Sequence, residues 1–245
     1  MPHMLKHIVL ALFLVLASFG PVTANAEISL AVYSGTVFTE NTDVRLTQAG
    51  GTDLTFKNVS WDDESFETPI FWGVRLTWWL ENSPEWGLAL EFAHPKMLAK
   101  LDEVVDVSGT RAGTPVNTSE PLSNTFSHFE FTDGYNLLTF GLFHRWGHER
   151  KKRYSFVPYL GVGAGVAIPY VETTISGVDT REYQVTGLAV QAMAGTEFFI
   201  TNPFSLFIEY KLNYSDMTAD LDDGGTLRLE PTTHLFMFGG QWHFY

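Results

Sequence analysis

The side chains in this sequence that could do acid–base or metal chemistry are scattered singly, each beside an alternating apolar segment. His94 and Lys96 follow one such segment; Asp133 and Tyr135 precede another; Glu172 closes a third; Arg181 and Tyr183 open a fourth. A histidine whose free pKa is near ~6.5 accepts protons at neutral pH, so His94 is the candidate base. Asp133 and Glu172 are candidates to orient that base or to hold a divalent ion, since carboxylates suit hard cations. Lys96 and Arg181 have the charge to grip phosphate, with Tyr183 beside them as a further substrate-binding candidate. The plain alternatives are an interfacial histidine bonded to water or a headgroup, and turn chemistry at Asp133-Gly134. There is no nucleophile elbow, no phosphate loop, no zinc-ligand spacing and no visible flavin or haem motif. The cofactor is therefore unassigned, with a divalent metal ion as the one candidate class. Asp216, Asp220, Asp222 and Asp223 do not match an EF-hand and read as a solvated acidic loop.

Only a particular set of elements can bring those residues together. Phe204, Leu206, Ile208, Tyr210, Leu212 and Tyr214 share one face of an extended segment; Ser205, Glu209, Lys211, Asn213 and Ser215 share the other. Ile70, Trp72, Val74, Leu76, Trp78 and Leu80 alternate in the same way with Phe71, Gly73, Arg75, Thr77 and Trp79, and Leu160 to Tyr170 alternate with Gly161, Gly163 and Gly165. A period of two with one wholly apolar face is the pattern of a transmembrane β-barrel. A soluble β-sandwich would also alternate, but its outer face would be polar. Eight strands are expected, at 27–39, 65–80, 86–97, 131–146, 155–171, 182–200, 204–216 and 229–245. The connections 81–85, 147–154 and 201–203 are short. Those at 40–64, 98–130 and 217–228 are long and mostly acidic, and 172–181 is intermediate. Short periplasmic turns opposite long extracellular loops is the expected asymmetry. The fold class is thus all-β: an eight-stranded antiparallel transmembrane barrel of outer-membrane type.

Both ends fit that expectation. Residues 1–26 read as a cleaved signal peptide, with Lys6, the apolar run Ile8 to Phe19 and a small-residue site at Ala24-Asn25-Ala26, which leaves 27–245 as the barrel. About a dozen apolar residues are too few for a spanning helix, which needs about 20. At the other end Phe236, Phe238, Trp242 and Phe244 form an apolar stripe, and Met237-x-Gly239-x-x-Trp242-x-Phe244 resembles the closing strand that the barrel-assembly machinery reads. The absence of cysteine fits an exported protein that does without disulfides. Twenty Phe, nine Tyr and seven Trp suit aromatic girdles. Residues 27–245 hold 14 basic against 28 acidic side chains, which argues against a nucleic-acid partner. The expected surroundings are outer-membrane lipids and lipopolysaccharide of a Gram-negative bacterium.

An eight-stranded barrel is just wide enough for its own side chains to fill it, so a diffusion pore is not expected. Parity turns Arg75, Glu91, Glu197, Glu209, Lys211 and Arg145 inward, and a five-residue turn at 81–85 sets Arg75 opposite Glu91. A structural charge network is the expected role of all six, because a buried charge needs a partner. Pro69, Pro95 and Pro169 fall in one ring at the rim, where each removes a ladder donor; they either end the strands or loosen the wall enough to admit a lipid sideways.

Several segments carry a family resemblance. Pro69-Ile-Phe-Trp-Gly-Val-Arg-Leu-Thr-Trp-Trp79, Glu91-Phe-Ala-His-Pro-Lys96, Glu130-Phe-Thr-Asp-Gly-Tyr-Asn136, Pro158 to Pro169 and Glu182-Tyr-Gln-Val-Thr-Gly187 resemble the rhizobial lipid A oxidase and its barrel relatives. The rim pieces are the more specific ones, because barrel packing does not dictate them. The resemblance implies an oxygen-dependent oxidation, at the outer leaflet, of the reducing-end glucosamine of lipid A to 2-aminogluconate. It supplies no catalytic residues; His94, Asp133 and Glu172 come from position and chemistry alone. A non-catalytic small barrel that stabilises the envelope or presents acidic loops to a surface partner is the alternative.

Overall fold

The computed structural model describes residues 27–147 and 153–245; the expected signal peptide lies outside them. From the amino end come β1 (Glu27–Thr39), β2 (Thr42–Gln48), β3 (Thr52–Val59) and the two-residue β4 (Trp61–Asp62). Then follow β5 (Trp72–Leu80), β6 (Ser83–His94), β7 (Leu98–Ala99), β8 (Val104–Arg111), β9 (Thr114–Pro121) and β10 (Phe126–Glu130). The rest are β11 (Leu137–Arg145), β12 (Phe156–Ala167), β13 (Tyr170–Ile175), β14 (Val178–Tyr183), β15 (Gly187–Thr201), β16 (Phe204–Asp220), β17 (Thr226–Leu229) and β18 (Thr232–Phe244). No described helix is long and apolar enough to cross a membrane.

Eight of these strands close into an up-and-down antiparallel barrel in the order β1, β5, β6, β11, β12, β15, β16, β18 and back to β1. The register can be followed once around the wall: Ile28 to Trp78, Leu88, Leu142, Val162, Ala192, Leu212, His234 and finally Phe38. The walk returns ten residues further along β1, a shear of 10 that tilts the strands by about 40°. Alternation is nearly unbroken, as in β16, where every second residue from Ser205 to Ala219 is buried. Val32, Phe140, Val162, Leu188, Ile208 and Phe238 are exposed on the outside. Trp86, Trp146, Phe156, Trp242 and Phe244 ring the end that carries the short turns, while Phe38, Trp72 and Tyr214 stand toward the other. A closed sheet with an apolar exterior satisfies its backbone only within itself, as lipid demands, and this is the outer-membrane architecture.

The lumen is solid. Its middle layer is a balanced four-charge network. Arg75 donates to Glu209 at 2.7 and 2.6 Å and to Glu91 at 3.0 Å, and Lys211 donates to Glu91 at 2.6 Å. Tyr159 adds a second donor to one Glu209 oxygen, and Gln191 donates to the Glu91 oxygen that the cations leave free. The layer beneath joins Arg145 to Glu27 at 2.6 Å and Glu27 to His243 at 2.8 Å, and Gln241 donates to Glu197 at 2.9 Å. All six charged residues expected inside are there. The inward glycines fit large neighbours: a Cβ on Gly73 would fall 2.2 Å from the Tyr33 ring.

The departures lie above the barrel. The connections expected as long acidic loops are folded into two sheets. One extends the barrel wall from β16 through β17, β2, β3, β8 and β9; the other runs β14, β13, β10, β7, β4. Their inner faces meet where Phe56 packs on Phe126 at 5.3 Å, and within the second sheet Trp61 packs on Phe129 at 5.3 Å between ring centres. A single apolar core, including Val44, Leu46, Val107, Phe131 and Leu227, continues down through Phe71, Leu137 and Met217 into the lumen. The mouth is therefore plugged by a folded cap. Expected strand bounds fail where chain passes between barrel and cap. Residues 65–71 and 131–136 are not strand, 155–171 breaks at Pro169 into β12 and β13, the expected connection 172–181 is mostly strand, and 182–183 end β14 in the cap instead of opening β15. The expected turn at 81–85 is tighter, with Leu80 already paired to Ser83 after a register shift, yet Arg75 still faces Glu91. Pro69, Pro95 and Pro169 all sit just outside strands and so leave the barrel ladders intact.

Candidate functional site

The second cap sheet sets one row of side chains across its outward face. In register, Arg181 neighbours Glu172, Glu172 neighbours Glu130, Glu130 neighbours Leu98, and Leu98 neighbours Asp62. The inward residues on these strands, Val171, Thr173 and Phe129, are buried, and parity therefore turns Glu172 and Glu130 outward. One step toward the barrel the register pairs Tyr170 with Tyr183, whose rings lie 4.7 Å apart. Below these, at the end of β6, stands His94.

His94 faces outward, as parity requires, and its ring packs on Trp72 at 5.6 Å. Its Nδ1 lies 2.7 Å from Asn136 Oδ1, while Asn136 Nδ2 donates to the Ile168 carbonyl at 3.1 Å. The asparagine is thereby fixed with its oxygen toward the ring. His94 must donate from Nδ1, which in the neutral imidazole leaves the Nε2 lone pair as the proton acceptor. The turn carrying Asp133 folds against this ring. Gly134 has φ +117°, and a Cβ there would fall 2.4 Å from His94 Nδ1. Tyr183 donates its hydroxyl to the Asp133 carbonyl at 3.2 Å. Burial, then the negative charges of Asp133 and Glu130, push the Glu172 carboxyl above its usual range. Burial and Asp133 likewise raise the Tyr183 phenol.

The structure thus gathers His94, Asp133, Glu172, Arg181 and Tyr183 on one outward face, and Arg181 and Tyr183 are exposed. Lys96 does not join them. Past Pro95 the chain turns inward, and Lys96 is 1% exposed, its Nζ donating to the Glu67 carbonyl at 3.2 Å. It cannot reach a headgroup phosphate. Tyr135 also turns in, donating to Ser215 at 2.6 Å. Two residues that sequence reasoning passed over complete the face: Glu130, and His128, whose Nε2 is 3.3 Å from Glu130 and 3.7 Å from Glu172. Both sit on β10, inside a segment expected to be loop, and no spacing signal links them to Glu172.

No protein-family model matches this sequence, and no curated protein is significantly similar to it. Among solved structures the chain is similar to neisserial surface protein A at 8% identity and a TM-score of 0.43, over 89% of this chain and 97% of that one. It is similar to the outer membrane protease OmpT from Escherichia coli at 11% identity and a TM-score of 0.44, over 92% and 99%. The outer membrane protein AlkL gives 13% identity and a TM-score of 0.43, over 93% and 94%. Likeness at this level names no activity.

Proposed function

We propose that this barrel modifies lipid A at the outer leaflet, oxidising its reducing-end glucosamine. The observation that carries the proposal is the row of ionisable side chains on the outward face of the cap, directly above the aromatic ring of the barrel. That height is the headgroup layer, and the face opens sideways to it, whereas the filled lumen admits no disaccharide. The oxidation breaks the C1–H and O1–H bonds of the reducing-end hemiacetal: two electrons and two protons pass to oxygen, the acceptor that the resemblance to the lipid A oxidase implies, giving hydrogen peroxide and a lactone, which water opens to the acid with a net gain of one oxygen. His94 Nε2 is the base, held in its tautomer by Asn136. Asp133 supplies negative charge beside it, Glu172 is a second carboxylate on the same face, Arg181 meets a phosphate, and Tyr183 borders the sugar.

The test uses a Gram-negative strain lacking the activity. Expression of the wild type should add one oxygen to lipid A by mass spectrometry, and His94→Ala, Asp133→Asn and Glu172→Gln should abolish or strongly reduce that shift while inserting normally. Unchanged oxidation in all three variants overturns the site. The folded cap favours a second reading: its edge strand β9 is solvent-exposed along most of its length, as in a surface-binding barrel without catalysis. That reading predicts no change in any lipid A species.

A further inference from the structure

One cluster on the cap is unexplained by packing. Glu130 and Glu172 lie directly opposite each other across the β10–β13 ladder, a placement that destabilises a sheet when both side chains are charged. Asp133 adds a third acid close by. Into this gap His128 projects its Nε2. The atom is closed to solvent and makes no hydrogen bond, although carboxylate oxygens lie 3.3 and 3.7 Å away. A plain imidazolium–carboxylate pair aims its N–H at one oxygen, at about 2.8 Å. Here the nitrogen points between two oxygens at longer range. Ligand atoms bound about 2.0–2.1 Å from a tetrahedral dication are themselves about 3.3 Å apart.

We propose that His128 Nε2, Glu130 Oε1 and Glu172 Oε2 hold one divalent transition-metal ion of the zinc class. The three ligand atoms lie within 4.8 Å of one another, the one such group among the described residues. An imidazole in the set favours a borderline metal over magnesium or calcium. The ligands come from two hydrogen-bonded strands and are therefore pre-positioned. Thr132 Oγ1 donates to Glu130 Oε1 at 2.7 Å, the kind of outer contact that orients a ligating carboxylate. Three protein ligands leave a fourth position open on the outward face, where a water or a headgroup oxygen completes the tetrahedron. The ion would also remove the like-charge conflict between the two strands. This site does not depend on the barrel acting on lipid A.

The experiment is calorimetric titration of Zn²⁺ into the full barrel, stripped with chelator and held in detergent micelles free of lipopolysaccharide, which itself binds cations. Binding of one Zn²⁺ per chain is expected, weakened at least tenfold to a hundredfold by His128→Ala and by Glu172→Gln. Asp216→Asn, in a separate acidic patch, should leave the affinity unchanged. Co²⁺ substitution gives a second readout that needs no affinity: a tetrahedral visible absorption in the wild type that His128→Gln, which keeps the side-chain bulk, abolishes. Each variant is first checked for heat-modifiable migration on gels. Absence of saturable Zn²⁺ binding, equal affinity in His128→Ala, or an unaltered Co²⁺ spectrum in His128→Gln overturns the proposal.

Discussion

Arg75 is the side chain on which the middle of the lumen depends, and its removal gives the sharpest test of the packing argument. Its guanidinium serves Glu209 through two hydrogen bonds and Glu91 through two more, at 3.0 and 3.3 Å, with every partner almost fully buried. Arg75→Met leaves two carboxylates facing one ammonium, Lys211, and so strands a net negative charge. Glu91→Gln strands a net positive charge, Arg75 and Lys211 against Glu209. Each single change should cost about 3–5 kcal/mol, the range for breaking one side of a buried pair. The double variant is balanced again, because Lys211 and Glu209 remain 3.9 Å apart. It should therefore be more stable than the sum of the singles by about 1–3 kcal/mol. The assay is urea unfolding in phospholipid vesicles, followed by tryptophan fluorescence and by the heat-dependent gel shift. A coupling below about 0.5 kcal/mol would refute the idea that these four charges act as one network.

Other outcomes follow from the same structure. Phe56→Ala removes a fully buried ring from the cap core and should cost about 3–5 kcal/mol there, so external protease should cut the cap while the barrel keeps its heat-modifiable migration. Gly134→Ala forces a methyl group against His94 Nδ1 and should lower lipid A product without lowering insertion, as mass spectrometry and outer-membrane recovery would show. Deleting Trp242 to Tyr245 removes the pairings of Trp242 with Leu30 and Phe204, and should cut assembly sharply in pulse–chase experiments. Arg45 holds the Asp53 carboxyl, and Arg111 the Glu120 carboxyl, below the usual range. A lowered folded-state value means that this support is present above the unfolded-state value and is lost as pH falls through the folded one. Below about pH 4 the cap hairpins should gain amide exchange while the barrel strands do not.

The barrel was legible because lipid outside and a packed lumen inside both impose a period of two on every strand. Arg75 and Glu91, sixteen residues apart, could be set face to face from parity together with a turn at 81–85. The cap was not legible because its strands are short and their acids outnumber their bases. Val44 and Leu46, Leu54 and Phe56, and Val105 and Val107 do alternate, but each pair is too brief to outweigh the charge around it. Strand bounds failed at Pro169 and near Thr186, where chain leaves one sheet for another without a break in hydrophobicity. His94 could be set at the rim because it ends its strand, whereas Asp133 falls in a turn and Glu172 lies inside β13. Lys96 was misplaced because Pro95 reverses the parity that had served up to His94. His128 escaped because a ligand set assembled from two strands 44 residues apart leaves no local pattern.

The pairing of β17 with β2 has a kinetic meaning. Thr226 sits opposite Thr47, so the first extracellular connection is stitched to the last, nearly the whole chain apart. The cap sheet that contains β2 is not joined to the barrel wall until the final hairpin has crossed the bilayer, and contacts of such sequence separation are slow to form. Until β17 is laid down, one edge of β2 has no partner and stands open to water and to neighbouring chains. Closing the wall and sealing the roof therefore become a single late event, and surface exposure of the finished cap reports that the barrel beneath it is complete.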